Sequence, residues 1–304
     1  LQSLQAWCDA DEATRSSLTL QDFANTPLTK TQAEQARQLL VAEHQRRLKG
    51  QRAAEHEAKV LTLGELQMPY EVRVFGERPA AGHSLFISMH GGGGAPKRVN
   101  DQQWRNQQGL YQLEEGIYVA PRAPTDTWNL WHQDHIDVLF ARLIENMIIF
   151  EGIDPNRVYI TGYSAGGDGV YQLAPRMADR LAAAAMMAGH PNETQPLGLR
   201  NLPFTLHMGE LDAAYDRNKI AQQWSEKLAT LQQEDSQGYI HWAKIHSGKG
   251  HWMDRDDAEG VKWMAQYSRN MIPDRVVWLQ DDVLHQRFYW LSVGDQPARE
   301  REKV

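Results

Sequence analysis

Cysteine is nearly absent: Cys8 is the only one in 304 residues. That excludes an internal disulfide framework and any metal site built from several thiolates. No run of apolar residues approaches bilayer length, so nothing in the sequence reads as a membrane span. Blocks of Lys and Arg are missing too. With 32 basic against 39 acidic residues and a formal charge of −7, nucleic acid is not an expected partner. There is no internal repeat and no low-complexity tract. Leu1 is not an initiator methionine, which a removed signal peptide or a trimmed chain explains equally well. Neither the compartment (cytoplasmic, periplasmic or secreted) nor the oligomeric state has a signature in this composition.

What is present is a chain long enough for one large α/β domain with additions, and its ten tryptophans are many. Residues 1–60 read as a helical, polar N-terminal extension. Thr29 or Thr31 can cap a long helix there, with Ala36, Leu40 and Leu48 as a thin apolar stripe. Such a stripe is more often laid against its own domain than used to capture a partner.

Residues 61–272 change character. Strand-like runs at 70–75, 84–89, 117–120, 157–161, 183–187, 203–208 and 239–245 alternate with helix-length segments. The helices are expected at 102–113, 136–150, after Ser164, at 217–231 and at 254–269. This alternation predicts a mainly parallel central sheet covered by helices on both faces. In open sheets of that kind, chemistry gathers at the carboxyl ends of the strands. Residues 273–304 read as a β-hairpin-like extension, from runs at 276–279 and 288–293 around Asp281-Asp282, followed by a charged tail from Asp295.

The stretch that organises the rest is Arg157 to Val170. A β-branched and aromatic run leads directly into Gly162-Tyr163-Ser164-Ala165-Gly166, and a helical apolar face follows, with Pro175 expected to kink or end the helix. A sharp strand-to-helix turn lifts its central side chain clear of the sheet and needs small neighbours, because strand end and helix start pass close together. Alone, the pattern is matched equally by a glycine-rich turn bearing a solvated serine.

Three further features fall at strand ends. His90-Gly91-Gly92-Gly93-Gly94 can turn backbone N–H groups into a cavity without a side chain in the way. Gly92, Gly93 and Ala165 are the candidate donors to a developing oxyanion. Gly209-Glu210-Leu211-Asp212 offers a carboxylate, for which Glu210 and Asp216 compete with Asp212. Gly248-Lys249-Gly250-His251-Trp252 carries an imidazole on a flexible loop, whereas His246 reads as a packed structural histidine. The order Ser164, Asp212, His251 matches that of the Ser-Asp-His triad in this fold class.

The runs Met89 to Gly94, Asp154 to Gly167 and Gly250-His251-Trp252 resemble α/β-hydrolase serine esterases, the polyhydroxybutyrate depolymerase and feruloyl esterase-like branch above all. The resemblance covers about residues 61–272. It implies hydrolysis of carboxylic esters through an acyl-enzyme, with Ser164 as nucleophile, His251 as base and Asp212 as orienting acid, and no cofactor. Secreted members of that branch often carry several disulfide cysteines, and this core has none, which counts against an extracellular polymer-degrading role.

Trp128 and Trp131, on the loop after the 117–120 strand, together with Tyr163 and Trp252, are candidate walls of a substrate site. Packing under the loop is the competing reading for the first two. Arg122 has a loop acid as its expected partner ahead of a substrate carboxylate. His132, Asp134, His135 and Asp137 have chelating spacing, but such residues at a helix start usually cap it, and no metal is expected. The leading function is therefore a serine esterase acting on a small-molecule or oligomeric ester. A peptidase or amidase on the same fold, and a non-catalytic binding module, are the alternatives.

Overall fold

The computed structural model describes residues 1–11, 13, 15–280 and 285–294. These fall into two compact units, residues 1–58 and residues from 59 onward.

The first unit holds α1 (Gln2–Asp9) and α2 (Lys30–Ala58), separated by irregular chain with two short 3-10 turns. The segment is thus less continuously helical than its composition suggests, because residues 11–29 lack an apolar repeat. Thr29 caps α2 reciprocally. Its Oγ1 accepts the Gln32 N–H at 3.3 Å, and Gln32 Oε1 accepts the Thr29 N–H at 2.9 Å. Leu4, Cys8 and Ala36 form this unit's small apolar cluster.

The second unit is built on an eight-stranded sheet with order β1-β2-β4-β3-β5-β6-β7-β8. Its strands are β1 (Val60–Leu63), β2 (Leu66–Phe75), β3 (His83–Met89), β4 (Gly116–Pro121), β5 (Ile153–Tyr163), β6 (Ala183–Met187), β7 (Phe204–Gly209) and β8 (His241–His246). Only the β1–β2 and β2–β4 pairs are antiparallel, so β2 alone runs against the other strands. Between the strands lie α3 (Lys97–Gln107), α4 (Asp134–Asn146), α5 (Ala165–Arg176), α6 (Arg217–Glu234) and α7 (Ala258–Met264).

Central strands are buried on both faces, and alternate residues serve different cores. Leu85, Ile87, Val158 and Ile160 join the cluster that includes α4, α5 and α6, while Phe86, Tyr118, Tyr159 and Tyr163 join the one that includes Trp104, Val261 and Met264. The chain crosses from β3 to β4 and returns to place β5 on the other side of β3, so the loops after β3 and β5 open a crevice at the strands' carboxyl ends. This is the α/β-hydrolase fold.

Several boundaries differ from expectation. β1 carries too short an apolar pattern to be distinguished from a loop. α3 begins at Lys97 after Pro96, where proline's fixed φ suits a helix start, and it ends well before 113. α7 is confined to Ala258–Met264 because turns occupy its flanks. α5 runs one residue past Pro175 before ending at Arg176. The C-terminal hairpin is formed by β9 (Arg287–Phe288) and β10 (Leu291–Ser292) pairing with each other, not by 276–279 with 288–293. Trp278 instead stacks on Phe288 as core. Asp281, Asp282 and the tail from Asp295 lie outside the described residues.

Candidate active site

β5 passes into α5 through a single residue, Ser164, at φ 58° and ψ −120°. A non-glycine residue rarely adopts that conformation, and it persists only where the surroundings impose it. Here they do. A Cβ at Gly162 would lie 2.2 Å from the Gly166 carbonyl oxygen, and one at Gly166 would lie 2.1 Å from that of Met89. Only glycine permits this close passage of strand, helix and β3. The Ser164 N–H donates to the Met187 carbonyl at 2.9 Å, tying the turn to β6.

Ser164 Oγ lies 2.9 Å from His251 Nε2, and His251 Nδ1 lies 2.7 Å from Asp212 Oδ2. The three residues are distant in sequence and meet above the sheet. Asp212 is buried at 3% exposure, whereas the imidazole is half open to solvent. A hydroxyl, imidazole and buried carboxylate in this series can pass a proton from oxygen to nitrogen and stabilise the imidazolium that forms.

The loops that bring acid and imidazole together are tied by short bonds. Glu210 N–H donates to the His246 carbonyl at 3.0 Å and Leu211 N–H to that of Lys249 at 2.8 Å. Asn218 fastens the acid turn to α6, its N–H donating to the Asp212 carbonyl at 3.1 Å and its Nδ2 to that of Glu210 at 2.8 Å. Tyr163 OH donates to the His251 carbonyl at 2.8 Å and accepts the Met253 N–H at 2.9 Å. Its phenol is held well above the usual value by burial. Glu210 and Asp216 do not reach the imidazole. Glu210 accepts from Ser247 Oγ and the Gly248 N–H at 2.9 and 2.8 Å, and Asp216 pairs with Lys219 at 2.8 Å.

The glycine loop corrects one expectation. Gly92 and Gly93 have φ of 111° and 104°, a conformation that favours glycine. Gly93 N–H, however, donates to Asn100 Oδ1 at 3.0 Å, so it is not turned toward a substrate. Asn100 is fully buried and also donates to the carbonyls of Gly93 and Ala95 at 3.0 and 3.1 Å. Sequence reasoning missed this residue; its α3 position after Pro96 is the only local hint. His90 is structural: Nδ1–H donates to the Gly91 carbonyl at 2.6 Å, and Nε2 accepts the Ala123 N–H at 3.1 Å. Burial pushes its pKa down to about 4, so it stays neutral.

Two cavities meet at Ser164 and Gly92. One of about 480 Å³ extends past Ala165 to Trp128, Asp168 and Arg217. The other, about 660 Å³, contains His251, Tyr163 and Trp252. Trp128, 61% exposed, and Trp252, 49% exposed, are therefore wall residues. Trp131 is not. It is 0% exposed, donates Nε1–H to the His90 carbonyl at 2.9 Å, and packs where a Gly169 side chain would stand. Arg122 pairs with Asp101 at 3.0 Å and with Asp126, and lines neither cavity.

The residues with chelating spacing do not converge. Asp137 turns inward to Arg176 at 2.6 Å and His285 at 2.9 Å, while His132 packs edge-on against Trp128. Among the described residues one convergent trio occurs, His207, His246 and Glu259. There His207 Nδ1 and His246 Nε2 share a hydrogen bond at 3.0 Å, and Glu259 pairs with Lys244.

No protein-family model matches the chain, and no curated protein matches it. Solved structures share the fold. A thermostable esterase aligns at 18% identity and TM-score 0.56 over 69% of this chain and 62% of its own, so the chain spans about three fifths of that esterase's length. A poly(aspartic acid) hydrolase from Sphingomonas aligns at 13% identity and TM-score 0.50 over 68% of this chain and 97% of its own.

Proposed function

We propose that the protein is a serine hydrolase that cleaves carboxylic esters. The observation that supports this best is the unbroken series Ser164 Oγ, His251, Asp212, with links of 2.9 and 2.7 Å, mounted on a strained turn. His251 removes the Ser164 proton as the hydroxyl oxygen attacks the ester carbonyl. Asp212 holds the imidazole with Nε2 facing the serine and balances the charge it gains. The tetrahedral oxyanion is held by the N–H groups of Gly92 and Ala165, the second at the positive end of α5. His251 then returns the proton to the leaving oxygen, the alcohol departs, and a water repeats the sequence on the acyl-enzyme. No step in this scheme needs a metal or cofactor. The motifs Met89 to Gly94 and Asp154 to Gly167 favour the feruloyl esterase-like branch.

The test is pre-steady-state release of phenolate from a short-chain aryl ester. Wild type is expected to give a burst equivalent to the enzyme concentration followed by slower turnover, and Ser164→Ala neither. Equal turnover by the two proteins would reject the proposal.

A further inference from the structure

We infer that the smaller cavity takes an acyl chain ending in a carboxylate, with Arg217 as that carboxylate's partner, so that the preferred substrates are monoesters of short dicarboxylic acids. This rests on the serine-esterase reading for which group lies where. The imidazole must deliver its proton to the leaving oxygen, and His251 lines only the larger cavity. The alcohol therefore occupies the larger cavity, and the acyl group extends past Ala165 into the smaller one.

Arg217 lines that cavity, and Asp168 on the same lining feels its charge. Among the described residues it makes no ion pair, and its Nε is buried without a hydrogen-bond partner. Its remaining contacts are weak: the Ala214 carbonyl at 3.4 Å and the face of Tyr215 at 4.8 Å. Asp216, its neighbour in the chain, is taken by Lys219. The backbone that carries the guanidinium is fixed. Tyr215 and Asp216 precede it in left-handed conformations, φ 57° and 54°, and Asn218 follows it bonded to the acid turn. A guanidinium's planar fork matches a carboxylate bidentately. In a chain of net charge −7 the general field repels anions, so an anionic acyl group needs such a local cation. Trp128 gives the intervening methylenes an apolar wall. Asp168 opposes the inference, being the acid on this lining. Its carboxylate accepts the His190 N–H at 2.6 Å and forms no ion pair with Arg217.

The experiment compares the para-nitrophenyl monoester of glutaric acid with para-nitrophenyl valerate, equal in length but neutral, and adds para-nitrophenyl 4-(trimethylammonio)butyrate, whose acyl chain ends in a cation. In Arg217→Gln the glutaryl-to-valeryl ratio of kcat/KM should fall on the order of 10- to 100-fold, the range of a charge-assisted hydrogen bond, with Arg217→Lys intermediate. An unchanged ratio, or a wild-type preference for the ester with the cationic acyl chain, overturns the inference. A binding measurement keeps the two readings apart. Calorimetric titration of glutarate into Ser164→Ala protein should show binding that Arg217→Gln weakens by a similar factor. If neither ester shows Ser164-dependent turnover, the esterase reading falls, and this titration alone decides whether the anion site stands. Binding that ignores Arg217, or no binding, overturns it.

Discussion

The two sides of the cleft are built by different means. On the Ser164 side, geometry comes from backbone: Gly162 and Gly166 let β5, α5 and β3 approach to distances that no side chain would allow, and the strain sits in Ser164 itself. On the acid–base side, geometry comes from a web of hydrogen bonds around Glu210, Asn218 and Tyr163, and most of it is open to solvent. The turn at Ser164 is thus fixed with the core, whereas the imidazole is carried on a loop fastened by hydrogen bonds. A substitution on the first side should damage fold and activity together; one on the second should separate them.

Asp212→Asn sharpens that contrast most. It keeps the size and an acceptor but gives the imidazole a neutral partner and the wrong tautomer, and kcat should fall about 10⁴-fold. Thermal unfolding should move little. A large stability loss without a large kcat loss would place Asp212 in the scaffold and not in the chemistry. Gly166→Ala is the opposite probe. Its methyl would stand 2.1 Å from the Met89 carbonyl oxygen, so denaturant unfolding should show a loss of about 3 kcal/mol or more, with activity lost in parallel. Full stability in that variant would break the comparison.

Asp168→Asn has the smallest effect and depends on pH. Burial raises the Asp168 pKa from 3.8 to about 6, with the His190 N–H and the Arg217 charge acting against the rise. Below about pH 4 the carboxyl is protonated in folded and unfolded chains alike, and its contribution is fully present. As pH rises through 6 the folded chain must ionise a buried group, and that stability is lost. Asparagine cannot ionise and still accepts the His190 N–H. The variant should therefore match wild type near pH 4 and exceed it by about 2 kcal/mol at pH 8, a gain read from melts at both values. An equal difference at both would remove ionisation as the cause.

The legibility of the sequence follows the same division. Strand positions and the serine turn could be read because β-branched runs and closely spaced glycines leave few other conformations open. The convergence of residues 164, 212 and 251 could be anticipated because parallel strands deliver their following loops to one edge of the sheet. What could not be read depends on side chains meeting across loops. Trp128 and Trp131 are three residues apart and alike in local sequence, yet one is exposed and the other fully buried. Gly93 and Gly92 are alike in local sequence, yet Asn100, seven residues on from Gly93, takes the Gly93 N–H. Arg217 carries no local signal, because its position depends on left-handed backbone at Tyr215 and Asp216, which neither residue type announces. β1, on the sheet edge, was too short and too half-buried to carry a pattern.

The most direct test of the nucleophile's identity is covalent. Treat the protein with an aryl fluorophosphonate, digest it, and map the adduct by mass spectrometry. Stoichiometric phosphonylation of the peptide bearing Ser164, slowed strongly in Asp212→Asn, is the result expected. Labelling at a different residue, or none between about pH 6 and 9, would contradict the account.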